Sequence, residues 1–198
     1  MEEAILRRLY IGEGLSAKQI ADRLQVPESK IVYWLRKHKV PKRTVSEAIY
    51  RRINPQGDPF DIKPKLSRSE AKLKVAGLVL WATEGSPNFK DGVFASNSNP
   101  ALIRVFVDFL LKVCQVEENK IRVRVVYYAN MNMTMDAVRR FWSDRTTLPD
   151  RQIKINTYHA VHDFREASKY GTATVLVGNI KLRAIMAQWL EDLFHEVG

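Results

Sequence analysis

Three groups of residues in this 198-residue chain carry chemistry by type and spacing. Ser29, Lys30, Tyr33, Arg36 and Lys37 fall on one arc of a helical wheel, opposite Ile31 and Leu35. A helix built that way presents a hydroxyl, a phenol and three cations to solvent. Side chains near the start of such a helix reach base edges, and cations further along hold phosphates. Base contacts are therefore expected from Ser29, Lys30 and Tyr33, and backbone contacts from Arg36, Lys37, Lys42 and Arg43. The alternative is a solvated basic face on a three-helix protein-interaction module. In the second group, Arg122 and Arg124 stand two apart in an alternating segment, so both point to one side of a strand. The third is a lone carboxylate, Glu84, which closes the apolar run 75–82 just before Gly85.

Charge points to the same class of partner. The chain holds 32 Lys and Arg against 22 Asp and Glu, and its pI is near 9.8. Residues 1–74 carry 17 basic and 9 acidic side chains, a net of +8, and residues 75–198 carry 15 and 13, a net of +2. So basic a first section attracts a polyanion, most often nucleic acid. A membrane is not expected: no stretch combines a wide apolar face with a basic one, and the longest apolar run is eight residues. The opening MEEAILRRLY lacks the basic-then-apolar order of a signal peptide, and the single cysteine, Cys114, forbids an internal disulfide. A cytoplasmic, nucleoid-associated location is the expectation.

The elements that must position these groups are readable in outline. Leu6 and Leu9 belong to a first helical segment that ends at Gly12-Glu13-Gly14. Ser16 followed by Gln19 is a capping box opening a second helix, with Ile20 and Leu24 on its buried side. Gln25-Val26-Pro27 breaks that helix, and a third runs from Glu28 to about His38, with Trp34 more core than stacking residue. Two short helices, a tight turn and a basic third helix make a helix-turn-helix over residues 1–44. Residues 45–66 read as a linker containing one short helix, with Phe60 and Ile62 as anchors. In 67–198, Ser67 or Ser69 caps an apolar helix that must be buried on several sides, and Asn99 caps another with Pro100 at its first position. Strands are expected at 92–97, 121–128, 153–158 and 172–177, a helix after Thr134, and a closing helix at 180–194. The expected class is α+β.

Two resemblances sharpen this. LSAKQIADRLQVPESKIVYWLRKHKV resembles the helix-turn-helix of resolvases and small regulators. AGLVLWATEGS resembles the LAGLIDADG motif of homing endonucleases, in the variant that ends in an aromatic, a small residue and Glu-Gly. The next segment, GVFASNSNPALIRVFVDFL, resembles the same family. This second resemblance spans roughly 67–195 and implies an αββαββα-type domain whose sheet sits as a saddle on duplex DNA. It implies motif helices paired across a twofold axis, each delivering one acid. With one motif, the chain would present two copies of Glu84 only as a homodimer through the 67–84 helix. Glu84 would then be both catalytic residue and ligand of a divalent cation such as Mg²⁺. Arg122 and Arg124 would face the DNA, with Lys120 and Lys154 as weaker candidates.

The motif also departs from the family. Ala76-Gly77 stand about two residues early, Val79 falls where a small residue is usual, and no Asp lies inside the helix run. The resulting expectation is a site-specific double-stranded DNA-binding protein of regulatory or degenerate type. An active metal-dependent endonuclease using Glu84 is the alternative, and Mg²⁺ belongs only to that alternative. His159 and His162 read as a surface turn rather than metal ligands, Cys114 as a buried small hydrophobe rather than a nucleophile, and Tyr127, Tyr128, Met131, Met133 and Met135 as core and loop packing rather than a stacking or adaptable patch.

Overall fold

The structure, a computed structural model, describes residues 2–41, 45–86, 91–128, 133–158 and 168–197. The chain divides into two compact units, Met1–Asp58 and Pro59–Gly198, so the boundary falls inside the stretch expected to be a linker.

In the first unit, α1 (Glu3–Arg7) runs into a π-helical turn at Arg8–Gly12, followed by α2 (Ala17–Leu24), α3 (Glu28–Lys37) and α4 (Val45–Ile53). The expected capping box opens α2. Ser16 Oγ accepts from the Gln19 amide at 3.1 Å, and Gln19 Oε1 accepts from the Ser16 amide at 2.9 Å. Gln25, with φ 51°, takes the left-handed conformation that ends α2, and Pro27 stands one residue ahead of α3. This tight turn lets Leu6, Leu9, Ile20, Ala21, Ile31, Leu35 and Val40 close into one small core. Each large aliphatic side chain so buried stabilises the unit by about 1.5–3 kcal/mol.

The second unit contains α5 (Arg68–Glu84), β1 (Val93–Asn97), α6 (Pro100–Lys112), β2 (Arg122–Tyr128), α7 (Met135–Thr146), β3 (Ile153–Tyr158), β4 (Thr172–Val177) and α8 (Ile180–Val197). Their caps are those anticipated. Ser67 opens α5 with a capping box to Glu70, Asn99 caps α6 with Pro100 at the first turn, and Thr134 caps α7. The strands form one sheet in the order β1-β4-β2-β3. Strand β4 is antiparallel to both β1 and β2, whereas β3 is parallel to β2.

The α+β class is as expected, but the element order departs from αββαββα. Among the described residues α7 stands between β2 and β3. The physical reason lies in residues 135–146: Val138 and Trp142, four apart, make a buried helical stripe where a hairpin would need a turn. Parallel neighbours need such a crossover. Among the described residues, a hairpin after α5 is present only in rudiment, as one antiparallel bridge between Gly85 and Ala95.

One contact sets the spacing of α5 on α6. Gly77 is buried, and a Cβ there would overlap the ring and Cβ of Phe109, itself fully buried. The small residue anticipated to let helices approach thus serves an approach within the chain. Leu78 and Trp81 continue the buried arc of α5. The opposite arc is less covered than an apolar helix suggested, with Val75 and Val79 exposed at 43% and 44%. Phe60 and Ile62 anchor as expected, packing on the main core. The backbone around them bonds to 113–117 through Asp61 N to Gln115 O, Lys63 N to Val113 O and Glu117 N to Pro59 O.

This packing makes two outcomes expected. Gly77→Ala will lower stability by about 1–3 kcal/mol, because the colliding Phe109 atoms lie next to its backbone and have no room to swing away. A thermal melt should record about 2–4 °C per kcal/mol lost. The second concerns acid. Lys63 Nζ bonds Glu70 Oε1 at 2.6 Å, and this bond, with those from the Ser67 amide and hydroxyl, lowers the Glu70 carboxyl from 4.5 to about 2. A depressed folded-state value means stability that is present above pH 4.5 and is lost as pH falls toward about 2. Lys63→Met should flatten that part of the stability–pH curve, read by chemical denaturation at several pH values.

Candidate nucleic-acid interface

Helix α3 presents its polar arc as the wheel predicted: Ser29, Lys30, Tyr33, Arg36 and Lys37 are all exposed, while Ile31 and Leu35 are buried. The last turn is also ordered by ring contacts. The Lys37 ammonium lies 4.7 Å from the Trp34 ring and 5.9 Å from that of Tyr33. Trp34 stacks on His38 at 5.4 Å and packs against the small core. Such cation–π contacts at exposed sites are worth roughly 0.5–1 kcal/mol, so Lys37 is held beside the 56% exposed Tyr33. Lys42 and Arg43 lie outside the described residues.

The sheet supplies a second surface. Successive side chains on a strand point to opposite faces. One face carries Val93, Ala95, Val123, Val125, Tyr127, Ile153, Ala173, Val175 and Val177, all buried in one cluster with residues of α5, α6, α7 and α8. The other face is set by the register. Phe94, Leu176 and Arg122 form one row across it. Ser96, Thr174, Arg124 and Lys154 form the next, then Thr172, Val126 and Asn156, and finally Tyr128 beside Tyr158. Neither Val126 nor Leu176 joins a core cluster, and Arg122, Arg124, Lys154, Tyr158 and Thr172 are exposed.

These twelve side chains include three cations and no carboxylate. Arg122 is partly engaged, donating to the carbonyls of Asn119 and of Ile121, the latter at 3.1 Å. Arg124 and Lys154 are register neighbours and form no ion pair among the described residues. Placing like charges side by side costs stability, so this pairing is not there to hold the fold. Lys154 therefore ranks beside Arg124, whereas Lys120 sits in a short 3₁₀ turn off the sheet. Sequence reasoning passed over Tyr158, Asn156, Thr172 and Thr174. Their signal was the alternation in 153–158 and 172–177, but no linear feature told which other residues would share their face.

Glu84 ends α5 as anticipated and is half-buried. Divalent cations require several oxygen ligands, and among the described residues no group of three or more His, Cys, Asp or Glu is placed to hold one. A single carboxylate does not fit a metal site within one chain. Cys114 is fully buried, and burial pushes its thiol up to about 12, which removes thiolate chemistry at neutral pH. Tyr127 is core, with its Oη accepting from the Met133 amide at 2.7 Å, while Tyr128 points to the opposite face. His159 and His162 lie outside the described residues. Among the described residues no helix is long and apolar enough to cross a membrane. No protein-family model, curated protein or solved structure matches the chain.

The cost of the Arg124–Lys154 neighbourhood is measurable. Lys154→Thr is expected to leave stability unchanged or raise it by roughly 0.2–1 kcal/mol. Because salt screens exposed charges, the gain should shrink between low and high ionic strength in paired denaturation curves.

Proposed function

We propose that this chain is a double-stranded DNA-binding protein, regulatory rather than cleaving, that engages its target with α3 and with the exposed face of the sheet. The observation that carries the reading is the acid-free sheet face on which Arg124 and Lys154 stand side by side. A polyanion relieves the repulsion between such neighbours, and among the described residues no carboxylate forms an ion pair with either of them. The exposed arc of α3 supports the same reading, with Ser29, Lys30 and Tyr33 toward base edges and Arg36 and Lys37 toward phosphates.

The protein works as a homodimer through α5. In support, Val75 and Val79 stand exposed on one arc of that helix, with small residues Ala76 and Thr83 beside them. A second copy covers such an arc with little steric cost. The likeness of AGLVLWATEGS to the LAGLIDADG motif fits this, since that family pairs the same helices across a twofold axis. A C2 dimer reads a site with twofold symmetry.

The test is selection from a randomised duplex library with and without Mg²⁺, sequencing bound and cut fragments, with sedimentation to read the oligomeric state. A twofold-related site should be enriched with its duplexes intact, by a protein that sediments as a dimer. Affinity should fall linearly on logarithmic axes of salt, and Arg124→Ala should reduce that slope by about one. Binding that ignores both salt and Arg124→Ala would refute the reading. Metal-dependent cuts that vanish in Glu84→Gln would make the protein a nuclease instead.

A further inference from the structure

Resting on the reading that nucleic acid occupies the exposed sheet face, we infer that the end of this face farthest from the cations takes unpaired nucleotides, their bases stacking on Tyr158 beside Tyr128. The two tyrosines are register neighbours at the ends of β2 and β3, and Tyr158 is 52% exposed. They lie four residues along the same strands from Arg124 and Lys154, about 13 Å at the rise of a parallel pair. Along β2 and β3 the face is thus polarised, with cations at one end and the two tyrosines at the other, while Phe94 lies on β1 in the row of Arg122.

A regular duplex answers only the cationic end. Its outer surface is sugar, phosphate and the base edges in the grooves, and its base faces are already stacked on one another. Tyrosine rings and the adjoining Val126 gain little by meeting that surface. Bases released from the stack are different: every base has a π-face, and aromatic side chains on a sheet are platforms for it. Asn156 and Thr172 flank Val126 in register and place an amide and a hydroxyl where base edges would lie. With three cations and no acid on the face, its charge selects a polyanion over an acid-poor partner. The chemistry is therefore that of a strand whose phosphates sit toward Arg124 and Lys154 and whose bases sit toward Tyr158.

The experiment is fluorescence anisotropy with the full chain at one salt concentration. The probes are a labelled single-stranded oligonucleotide of about 12 nucleotides, within the usual site size for such surfaces, and the duplex of the same sequence. Tyr158→Ala should weaken single-strand binding by about tenfold and Tyr158→Phe should retain it, as stacking requires. Duplex affinity should stay within about twofold, since stacked bases offer Tyr158 no face. Tyr158 is half exposed, and melting curves confirm that each variant is folded. If Tyr158→Ala harms both probes equally, or neither, while Arg124→Ala weakens binding, the unpaired-base inference falls and the DNA-binding reading stands. If Arg124→Ala changes neither probe, both fall together.

Discussion

The burial of one face of the sheet, as the described residues have it, is the constraint on which the second unit depends. Phe106, Phe109 and Leu110 of α6 are fully buried against the same cluster as Val123, Val125, Ala173 and Val175. Trp81 of α5, Trp142 of α7 and Met186 of α8 join it as well. Because strand side chains alternate, filling one face with apolar residues assigns every second residue to the other. A slip of one residue in any strand would bring a cation or a hydroxyl into the core. The register that protects the core is therefore the same register that assembles Arg124, Lys154, Thr174 and Tyr158 on a common surface.

The contact of α5 with α6 has a comparable double role. Gly77 lets the Phe109 ring lie directly on the helix, which commits the Gly77–Trp81 arc to the interior. The arc through Val75 and Val79 is then the one left outside, although the run 75–82 is apolar on every side. Glu84 comes to rest at the end of that helix, beside the bridge between Gly85 and Ala95. Its position is thus set by helix packing and by one strand bridge, and both would be the same whether the carboxylate serves chemistry or structure.

Much of the local architecture was legible because its causes are local. The capping box at Ser16, a serine cap for α5 (Ser67 of the two candidates Ser67 and Ser69), the Asn99-Pro100 start and the Thr134 cap each rest on hydrogen bonds within a few residues, and each is present. The exposed arc of α3 was legible for the same reason, since a helical wheel needs only the 3.6-residue period. Helix α7 was legible too, from its Thr134 cap, but that it serves as a crossover between parallel strands was not. A strand followed by a helix and another strand fits several sheet orders, and only long-range pairing decides that β3 lies parallel to β2 while β4 inserts between β1 and β2. Tyr128 was assigned to packing for a related reason: beside Tyr127 in the sequence it looks like one apolar pair, yet the pleat sends the two rings to opposite faces.

The sequence by itself determined the helices, their caps, the strands, the basic bias of the first 74 residues and the two-sided pattern of β2. All of these arise from side-chain chemistry acting over a turn or two of chain. The tertiary structure alone decided which residues from four separate strands share a surface, that this surface carries three cations without one acid, and which arc of α5 stays exposed. Charge counts along the chain conceal such a face: residues 75–198 are nearly neutral overall, and the acids go elsewhere because strand register, not proximity in sequence, chooses the neighbours of Arg124.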